Sequence, residues 1–153
     1  RMVPGDPQGL SAIGSCLSDL GRFAEAEPFL RSALEGVDDA LTHYNLGALL
    51  SATGRSDEAV IEYERALARD PADADARSNL AAVLVRQGKT ARASQELARV
   101  LAIDPENANA HTNLGLLLAQ QGHMGRAAEE FQTALRIDPR QKQASEALRE
   151  LGR

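Results

Sequence analysis

Apolar residues recur along the chain at steps of three and four positions, in pairs of segments that short polar stretches separate. One pair has Leu46, Leu49 and Leu50 in its first segment, and Ala59 and Tyr63 in its second. Such steps place side chains on one face of an α-helix. The pattern therefore predicts eight helices, near residues 7–20, 23–35, 40–53, 56–69, 74–87, 90–103, 108–121 and 124–137.

The helical pattern has a 34-residue period, which Asp-Pro dipeptides and single glycines both mark. The dipeptides begin at Asp70, Asp104 and Asp138, and the glycines are Gly54, Gly88 and Gly122. Gly21 precedes Gly54 by one position less than a full period, so the first copy is slightly shorter. A fixed period of this length predicts helical hairpins that each bury their apolar face against the next.

We interpret residues 1–153 as a single domain with repeats at about 7–39, 40–73, 74–107 and 108–141. Residues 142–153 are predicted to form a C-terminal capping helix, whose Ala144, Ala147, Leu148 and Leu151 face the array. Residues 1–4 align with the end of a second helix at 136–139. Two interpretations of residues 1–6 stay open, a remnant of cloning and the tail of a preceding repeat.

The expected helix boundaries carry residues suited to helix ends. Side-chain acceptors precede the first helix of each copy, at Asp6, Asp39, Asp73 and Asn107, where they can cap free N–H groups. The repeated glycine follows each first helix, because only glycine adopts the left-handed conformation there without penalty. The proline of each Asp-Pro cannot continue the second helix and closes it.

Small residues recur at one position of each first helix and one position of each second helix. They are Gly14, Gly47, Ala81 and Gly115, followed by Ala26, Ala59, Ala93 and Ala127. Because larger side chains would hold the two backbones apart, we expect these residues where paired helices approach most closely.

With these residues in place, the 34-residue hairpin resembles the tetratricopeptide repeat family. The resemblance implies an all-α fold, a right-handed superhelical solenoid whose first helices line a concave groove. One departure concerns the bulky position near the start of the first helix, which holds Leu10, His43, Arg77 and His111 here.

Composition excludes several classes of function. The chain is 3% aromatic, lacks Trp and has a formal net charge of −5, so neither base stacking nor a grip on phosphate backbones is favoured. We therefore expect no nucleic-acid partner. No apolar stretch approaches the ~18 residues that a membrane span requires, so direct membrane insertion is not expected either.

Candidate catalytic and metal-binding residues do not form a recognisable constellation. His43 and His111 occupy equivalent positions two copies apart, where they cannot share a metal. Cys16 is expected to be a small buried filler. Acidic residues are expected on solvated outer faces of second helices, at Glu58, Glu62, Glu129 and Glu130. The sequence thus predicts no catalytic residue, no metal, no cofactor and no enzyme activity.

The resemblance implies which residues would line the groove and bind a peptide. The predicted groove set is Leu41, Tyr44, Asn45, Asp75, Ser78, Asn79, Val85, Arg86, Asn109, Thr112, Asn113, Leu116 and Gln120. The first copy would add Gln8, Ser11, Ala12, Ser15, Ser18 and Asp19. This surface is small, polar and nearly uncharged, which favours hydrogen bonding over ion pairing.

Asn45, Asn79 and Asn113 form a series with a 34-residue step. An asparagine amide can both donate to and accept from the backbone of an extended peptide. The series is similar to the asparagine ladder in the repeat domains of O-linked N-acetylglucosamine transferases. Two interpretations remain, a row of peptide ligands and a set of supports between neighbouring helices.

We therefore predict a protein-interaction scaffold that binds a peptide segment of a partner protein in the groove. One alternative is the substrate-docking portion of a larger enzyme, such as a glycosyltransferase. Another is a self-assembling adaptor, a homo-oligomer formed through the N-terminal face of Leu10, Ile13 and Leu17. The bias toward Ala, Leu and Arg favours a bacterial source, and both cytoplasm and periplasm stay open.

Overall fold

The computed structural model describes residues 5–152, and within that range nine α-helices follow one another without a β-strand. They are α1 (Pro7–Asp19), α2 (Phe23–Gly36), α3 (Ala40–Ala52), α4 (Ser56–Arg69), α5 (Ala74–Arg86), α6 (Thr90–Ile103), α7 (Ala108–Gln120), α8 (Met124–Ile137) and α9 (Lys142–Leu151). For the eight helices of the four repeats, each predicted end lies within one residue of the observed end. Residues 1–4, predicted to align with a second helix, lie outside the described residues.

The helix ends form as the sequence predicts. A side-chain oxygen of Asp6, Asp39, Asp73 or Asn107 accepts a hydrogen bond from the backbone N–H three residues later, over 2.9–3.0 Å. After each first helix the chain turns through a glycine with positive φ, between 70° and 83° at Gly21, Gly54, Gly88 and Gly122. The side-chain caps fix where each hairpin begins, and the glycines fix where it turns.

The chain divides into two compact units, and the boundary between Ala76 and Arg77 falls inside α5. Unit 1 comprises the described residues up to Ala76, and unit 2 those from Arg77 onward. The assignment of all repeats to a single domain stays a prediction.

In unit 1, α1 pairs with α2 and α3 pairs with α4, while α2 also contacts α3. The small residues lie where the paired helices meet. A Cβ atom added to Gly14 would come within 2.7 Å of Leu30 Cγ, and one added to Gly47 within 3.0 Å of Tyr63 Cδ1. Leu30 and Tyr63 are almost fully buried. The absence of a side chain at these glycines therefore lets the larger residue of the partner helix fill the contact.

Unit 2 repeats this arrangement in the pair of α7 and α8. A Cβ atom on Gly115 would come within 2.5 Å of Phe131 Cε1, and Phe131 has no exposed surface. Helix α9 packs on α8 and α7 and buries Ala144 in the same cluster, with Ala147, Leu148 and Leu151 partly buried beside it. Its Arg149 is exposed. Helix α9 thus has one face packed on unit 2 and one face exposed, and its role as a cap stays a prediction.

None of the helices within residues 5–152 is long and apolar enough to cross a membrane.

Candidate functional site

A cleft of about 520 Å³ opens in unit 1 between α1, α3 and the connection from α2 to α3. It is lined by Gln8, Ser11, Ala12, Ser15, Cys16, Val37, Asp39, Leu41, Thr42 and Asn45. Small residues of α1 make room for the cleft, since Ser, Ala and Cys supply one wall. Asp39 is the one carboxylate in the lining.

A chain of hydrogen bonds joins the two helices at the cleft. Thr42 Oγ1 donates to Asp39 Oδ2 over 2.6 Å, while the Thr42 backbone N–H donates to Asp39 Oδ1 over 2.9 Å. Ser11 Oγ lies 2.7 Å from Thr42 Oγ1. Because the Thr42 proton is directed to the carboxylate, Ser11 is the donor in this contact. The cap of α3 thus also ties α3 to α1.

Apolar groups border the cleft and face solvent. Leu41 is 64% exposed and Val37 is 45% exposed. Ala12 and Cys16 on α1 are exposed as well. The expectation of a buried Cys16 is therefore wrong, and the reason is that its thiol borders the open cleft.

Asn45 presents its side-chain amide at this cleft. The residue is partly buried, and among residues 5–152 its side chain has no hydrogen-bond partner. One acceptor and two donors are therefore available to a bound molecule.

The equivalent face of unit 2 is bridged by the protein itself. Asn113 Nδ2 on α7 donates to the Ser78 carbonyl on α5 over 3.1 Å, and Gln120 Nε2 donates to the Val85 carbonyl over 3.3 Å. Asn79 also has an interaction partner in the structure. The three asparagines of the series thus differ in use, and Asn113 supports a neighbouring helix.

Four residues of the predicted groove set are buried: Ser78, Val85, Thr112 and Asn113. Thr112 Oγ1 donates to the Ala108 carbonyl of its own helix over 2.9 Å, and Asn113 Nδ2 donates to the Ser78 carbonyl of α5 over 3.1 Å. These four are therefore not accessible as peptide ligands, which corrects the expectation at these positions.

The other nine predicted residues have some exposed surface. Leu41 and Asn45 line the cleft, and the partly buried Tyr44 lies 6.1 Å from Tyr63 between ring centroids. Asn79 and Leu116 are partly buried, while Asp75, Arg86, Asn109 and Gln120 are exposed. Asn109 Oδ1 accepts from Gln141 Nε2 over 2.8 Å. A ligand role of these residues stays a prediction.

Three hairpins contain a buried or half-buried ion pair that the sequence analysis missed. Each joins a basic residue of the first helix to a glutamate 19 positions later. The pairs are His43 with Glu62 at 2.6 Å, Arg77 with Glu96 at 2.6 Å and His111 with Glu130 at 2.7 Å. The expectation of solvated outer-face carboxylates is wrong for the buried Glu62 and for the partly buried Glu130. Both turn toward the first helix to meet a cation.

His43 lies between two carboxylates. Its Nδ1 is 2.6 Å from Glu62 Oε2, and its Nε2 is 2.6 Å from Asp38 Oδ1. Since an ionised carboxylate only accepts hydrogen bonds, both ring nitrogens donate and the imidazole is cationic when both bonds are made. Hydrogen bonds from Arg69 and His43 hold the pKa of Asp38 below its usual range. The permanently charged Arg77 at the equivalent position shows that this place suits a cation.

The first copy has an apolar pair in the same place. Leu10 and Phe29 occupy the two equivalent positions, and both are partly buried. These two positions therefore vary together from copy to copy: either both residues are apolar, or the first is basic and the second is glutamate. This correlated variation is the sequence signal that could have revealed the ion pairs.

A second charged cluster joins α2 to the start of α4. Glu27 is bonded by Arg31 at 2.6 Å and by Arg55 at 2.7 Å, and Arg55 also reaches Glu58 at 2.6 Å. Burial raises the pKa of Glu27, but the hydrogen bonds from Arg31 and Arg55 outweigh it and leave the pKa lowered. The hydrogen bond from Arg55 likewise lowers the pKa of Glu58.

The described residues offer no metal site, since no group of three or more His, Cys, Asp or Glu side chains within 5–152 could hold an ion.

Comparison with known families gives three matches, each to a model of the tetratricopeptide repeat. The matched residues are 8–72, 50–104 and 78–142, which together extend from residue 8 to residue 142. No curated protein matches the chain in sequence.

Several solved structures have a similar fold. YrrB, described as a TPR protein with an unusual peptide-binding site, is 24% identical, with a TM-score of 0.80 over 95% of this chain and 76% of its own. The pilF protein of Pseudomonas aeruginosa is 26% identical, with a TM-score of 0.81 over 95% and 67%. MamA from Desulfovibrio magneticus RS-1 is 23% identical, with a TM-score of 0.79 over 95% and 83%. These likenesses agree with the all-α repeat fold predicted from the sequence.

Proposed function

The chain belongs to the tetratricopeptide repeat family, and we propose that it is a protein-interaction scaffold whose α1/α3 cleft binds an extended peptide segment of a partner protein. Repeats of this family are typically scaffolds without catalytic activity. The description of YrrB as a peptide-binding protein of similar fold supports the proposal.

The observation that carries the proposal is the side-chain amide of Asn45, which has no hydrogen-bond partner among residues 5–152 and lies beside an open, partly apolar cleft. An extended peptide has unpaired C=O and N–H groups, and this amide can bond both. A neutral hydrogen bond contributes only about 1 kcal/mol, so Asn45 orients the peptide. Most of the affinity comes from apolar surface buried on Leu41 and Val37, at about 25 cal/mol per Å².

The cleft is built before a ligand arrives. The bonds from Thr42 to Asp39 and from Ser11 to Thr42 hold α1 and α3 together on the side where the peptide would lie. Because these groups do not need to be ordered on binding, little affinity is lost to conformational entropy.

The test uses a random nonapeptide library displayed on phage and panned against the full chain. A recovered peptide is then titrated by fluorescence anisotropy against the wild type, Asn45→Ala and Asn113→Ala. Loss of one neutral hydrogen bond, about 1 kcal/mol, should weaken binding to Asn45→Ala about fivefold.

Asn113→Ala is the matched control, because the same amide is removed where the protein already uses it. Its affinity for the peptide should equal that of the wild type. Failure to recover any peptide, or equal affinity of Asn45→Ala and wild type for every recovered peptide, would overturn the proposal.

A further inference from the structure

The two helices that form the cleft carry no basic side chain that a ligand could meet. Neither α1 nor α3 contains Lys or Arg, and the imidazole of His43 is buried against Glu62. The carboxylate in the cleft lining belongs to Asp39. Further acids stand at the two ends of α1, with Asp6 as its N-cap and Asp19 as its last residue.

Helix dipoles do not cancel this negative charge. The N-terminus of an α-helix carries about half a positive unit charge. At both α1 and α3 that end is capped by a full carboxylate, Asp6 in one case and Asp39 in the other. The sum at each helix start is therefore negative, and a nearby cation is attracted.

The cleft also presents apolar surface beside its neutral polar residues Gln8, Ser11, Ser15, Thr42 and Asn45. Leu41 and Val37 expose carbon surface on one side, and Ala12 and Cys16 on the other. A volume of about 520 Å³ lies within the range of roughly 300–1,000 Å³ that ligand pockets usually have. The cleft therefore has room for an apolar side chain together with part of its neighbours.

We infer that the peptide segment bound here presents an apolar residue flanked by Lys or Arg, with the apolar side chain in the cleft and the cation beside Asp39. This inference rests on the proposed function, since it names the chemistry of the peptide that the cleft selects. An anionic or C-terminal carboxylate ligand would find no accessible cation on these helices and would be repelled by Asp39.

The experiment pans the random nonapeptide library against four versions of the full chain. They are the wild type, Asp39→Asn, Asp73→Asn and Ala12→Trp. Asp39→Asn removes the charge but keeps the helix cap, as Asn107 demonstrates by accepting from the Ala110 N–H over 2.9 Å. Asp73→Asn makes the same change at the cap of α5, outside the cleft lining.

Ala12→Trp fills the cleft from its exposed α1 side without altering net charge. It therefore retains any unspecific attraction of basic peptides to an acidic protein. Each chain is first checked for unchanged helicity by circular dichroism, and peptides are scored by the frequency of Lys and Arg next to an apolar residue.

The wild type and Asp73→Asn should both enrich such basic peptides, whereas Asp39→Asn should lose the enrichment and Ala12→Trp should recover few peptides. A recovered peptide should bind Asp39→Asn about threefold more weakly at low salt, the size expected of one solvent-exposed ion pair. The difference should shrink at high salt.

Enrichment that persists in Asp39→Asn, or recovered peptides without Lys or Arg, would overturn this inference and leave the proposed function standing. Equal recovery by the wild type and Ala12→Trp would instead overturn the proposed function.

Discussion

In unit 1 the face shared by α1 and α3 is open, whereas in unit 2 the face shared by α5 and α7 is crossed by the chain's own amides. Asn45 and Asn113 occupy equivalent positions, two periods apart. The side-chain amide of Asn45 has no hydrogen-bond partner among residues 5–152, whereas Asn113 Nδ2 donates to the Ser78 carbonyl. The same residue in the same register therefore has two different uses.

The difference separates what the repeat specifies from what it leaves free. Both units have the close glycine contact with a bulky partner side chain, at Gly47 with Tyr63 and at Gly115 with Phe131. The hairpin interior is thus common to both units. The hydrogen bonds that a first helix makes on its other face depend on the carbonyls and side chains of the neighbouring first helix. In these hydrogen bonds the two units differ.

The largest expected effect is a loss of folding stability, and it tests whether the hairpin interiors of the two units are equivalent. His43→Leu in unit 1 and Arg77→Leu in unit 2 each leave a buried glutamate without its first-helix cation. Removing one partner of a buried ion pair typically costs about 3–5 kcal/mol. Urea denaturation followed by circular dichroism should give a similar loss in the free energy of unfolding for both variants.

The control replaces both partners at once. His43→Leu combined with Glu62→Phe recreates the apolar pair that Leu10 and Phe29 form in the first copy. Exchange of a buried ion pair for apolar residues of similar size is often close to neutral, so the double variant should regain most of the stability. A double variant as unstable as His43→Leu would show that the hairpins are not interchangeable.

The next largest effect is a difference in thermal stability between the alanine variants of Asn113 and Asn45. Asn113→Ala removes the donor that bonds the Ser78 carbonyl and should cost about 1 kcal/mol. In a chain of this size that loss lowers Tm by about 2–4 °C. Asn45→Ala breaks no hydrogen bond within the described residues, so its Tm should match the wild type. Equal thermal shifts in the two variants would contradict the distinction between an open and a bridged face.

The smallest expected effect is a pH dependence of stability in the acid range. Within residues 5–152, five carboxyl groups have a lowered pKa. Four of them are in unit 1 (Glu25, Glu27, Asp38 and Glu58) and one, Asp138, is in unit 2. A carboxyl with a lower pKa in the folded chain stabilises folding above its unfolded pKa, and that stabilisation disappears as pH falls through the folded value. Arg55→Gln removes the cation that Glu27 and Glu58 share.

The Tm difference between wild type and Arg55→Gln should therefore be present above the ordinary glutamate pKa of 4.5 and diminish as the pH falls below it. Thermal melts at a series of pH values measure this directly. Arg126→Gln, an exposed substitution on α8 in unit 2, is the control and should show no such pH dependence. A difference that grows toward low pH would refute the assignment.

The sequence predicted the helices well because their ends depend on local chemistry. Asp39 caps α3 through a bond to a residue three positions away, and Gly54 ends its helix through its own backbone freedom. Such contacts can be recognised within a few adjacent residues. The repeat period then placed each hairpin without any knowledge of the neighbours.

The site was harder to predict because it depends on contacts between distant parts of the chain. Asn45 and Asn113 are indistinguishable in sequence, since the partner carbonyl of Asn113 belongs to Ser78, about one period earlier. Cys16 occupies the position of the buried Leu49, Val83 and Leu117, and nothing local distinguishes it from them. Glu62 has its partner across the hairpin, on the other helix.

The most direct test of peptide binding in the α1/α3 cleft uses Cys16, the single cysteine of the chain. Its alkylation rate is measured with and without a library-derived peptide, in the wild type and in a Cys16→Ser/Ser94→Cys control whose thiol lies on the exposed side of α6. We expect alkylation of Cys16 to slow in proportion to peptide occupancy, with no change in the control. An unchanged Cys16 rate at saturating peptide would contradict the account.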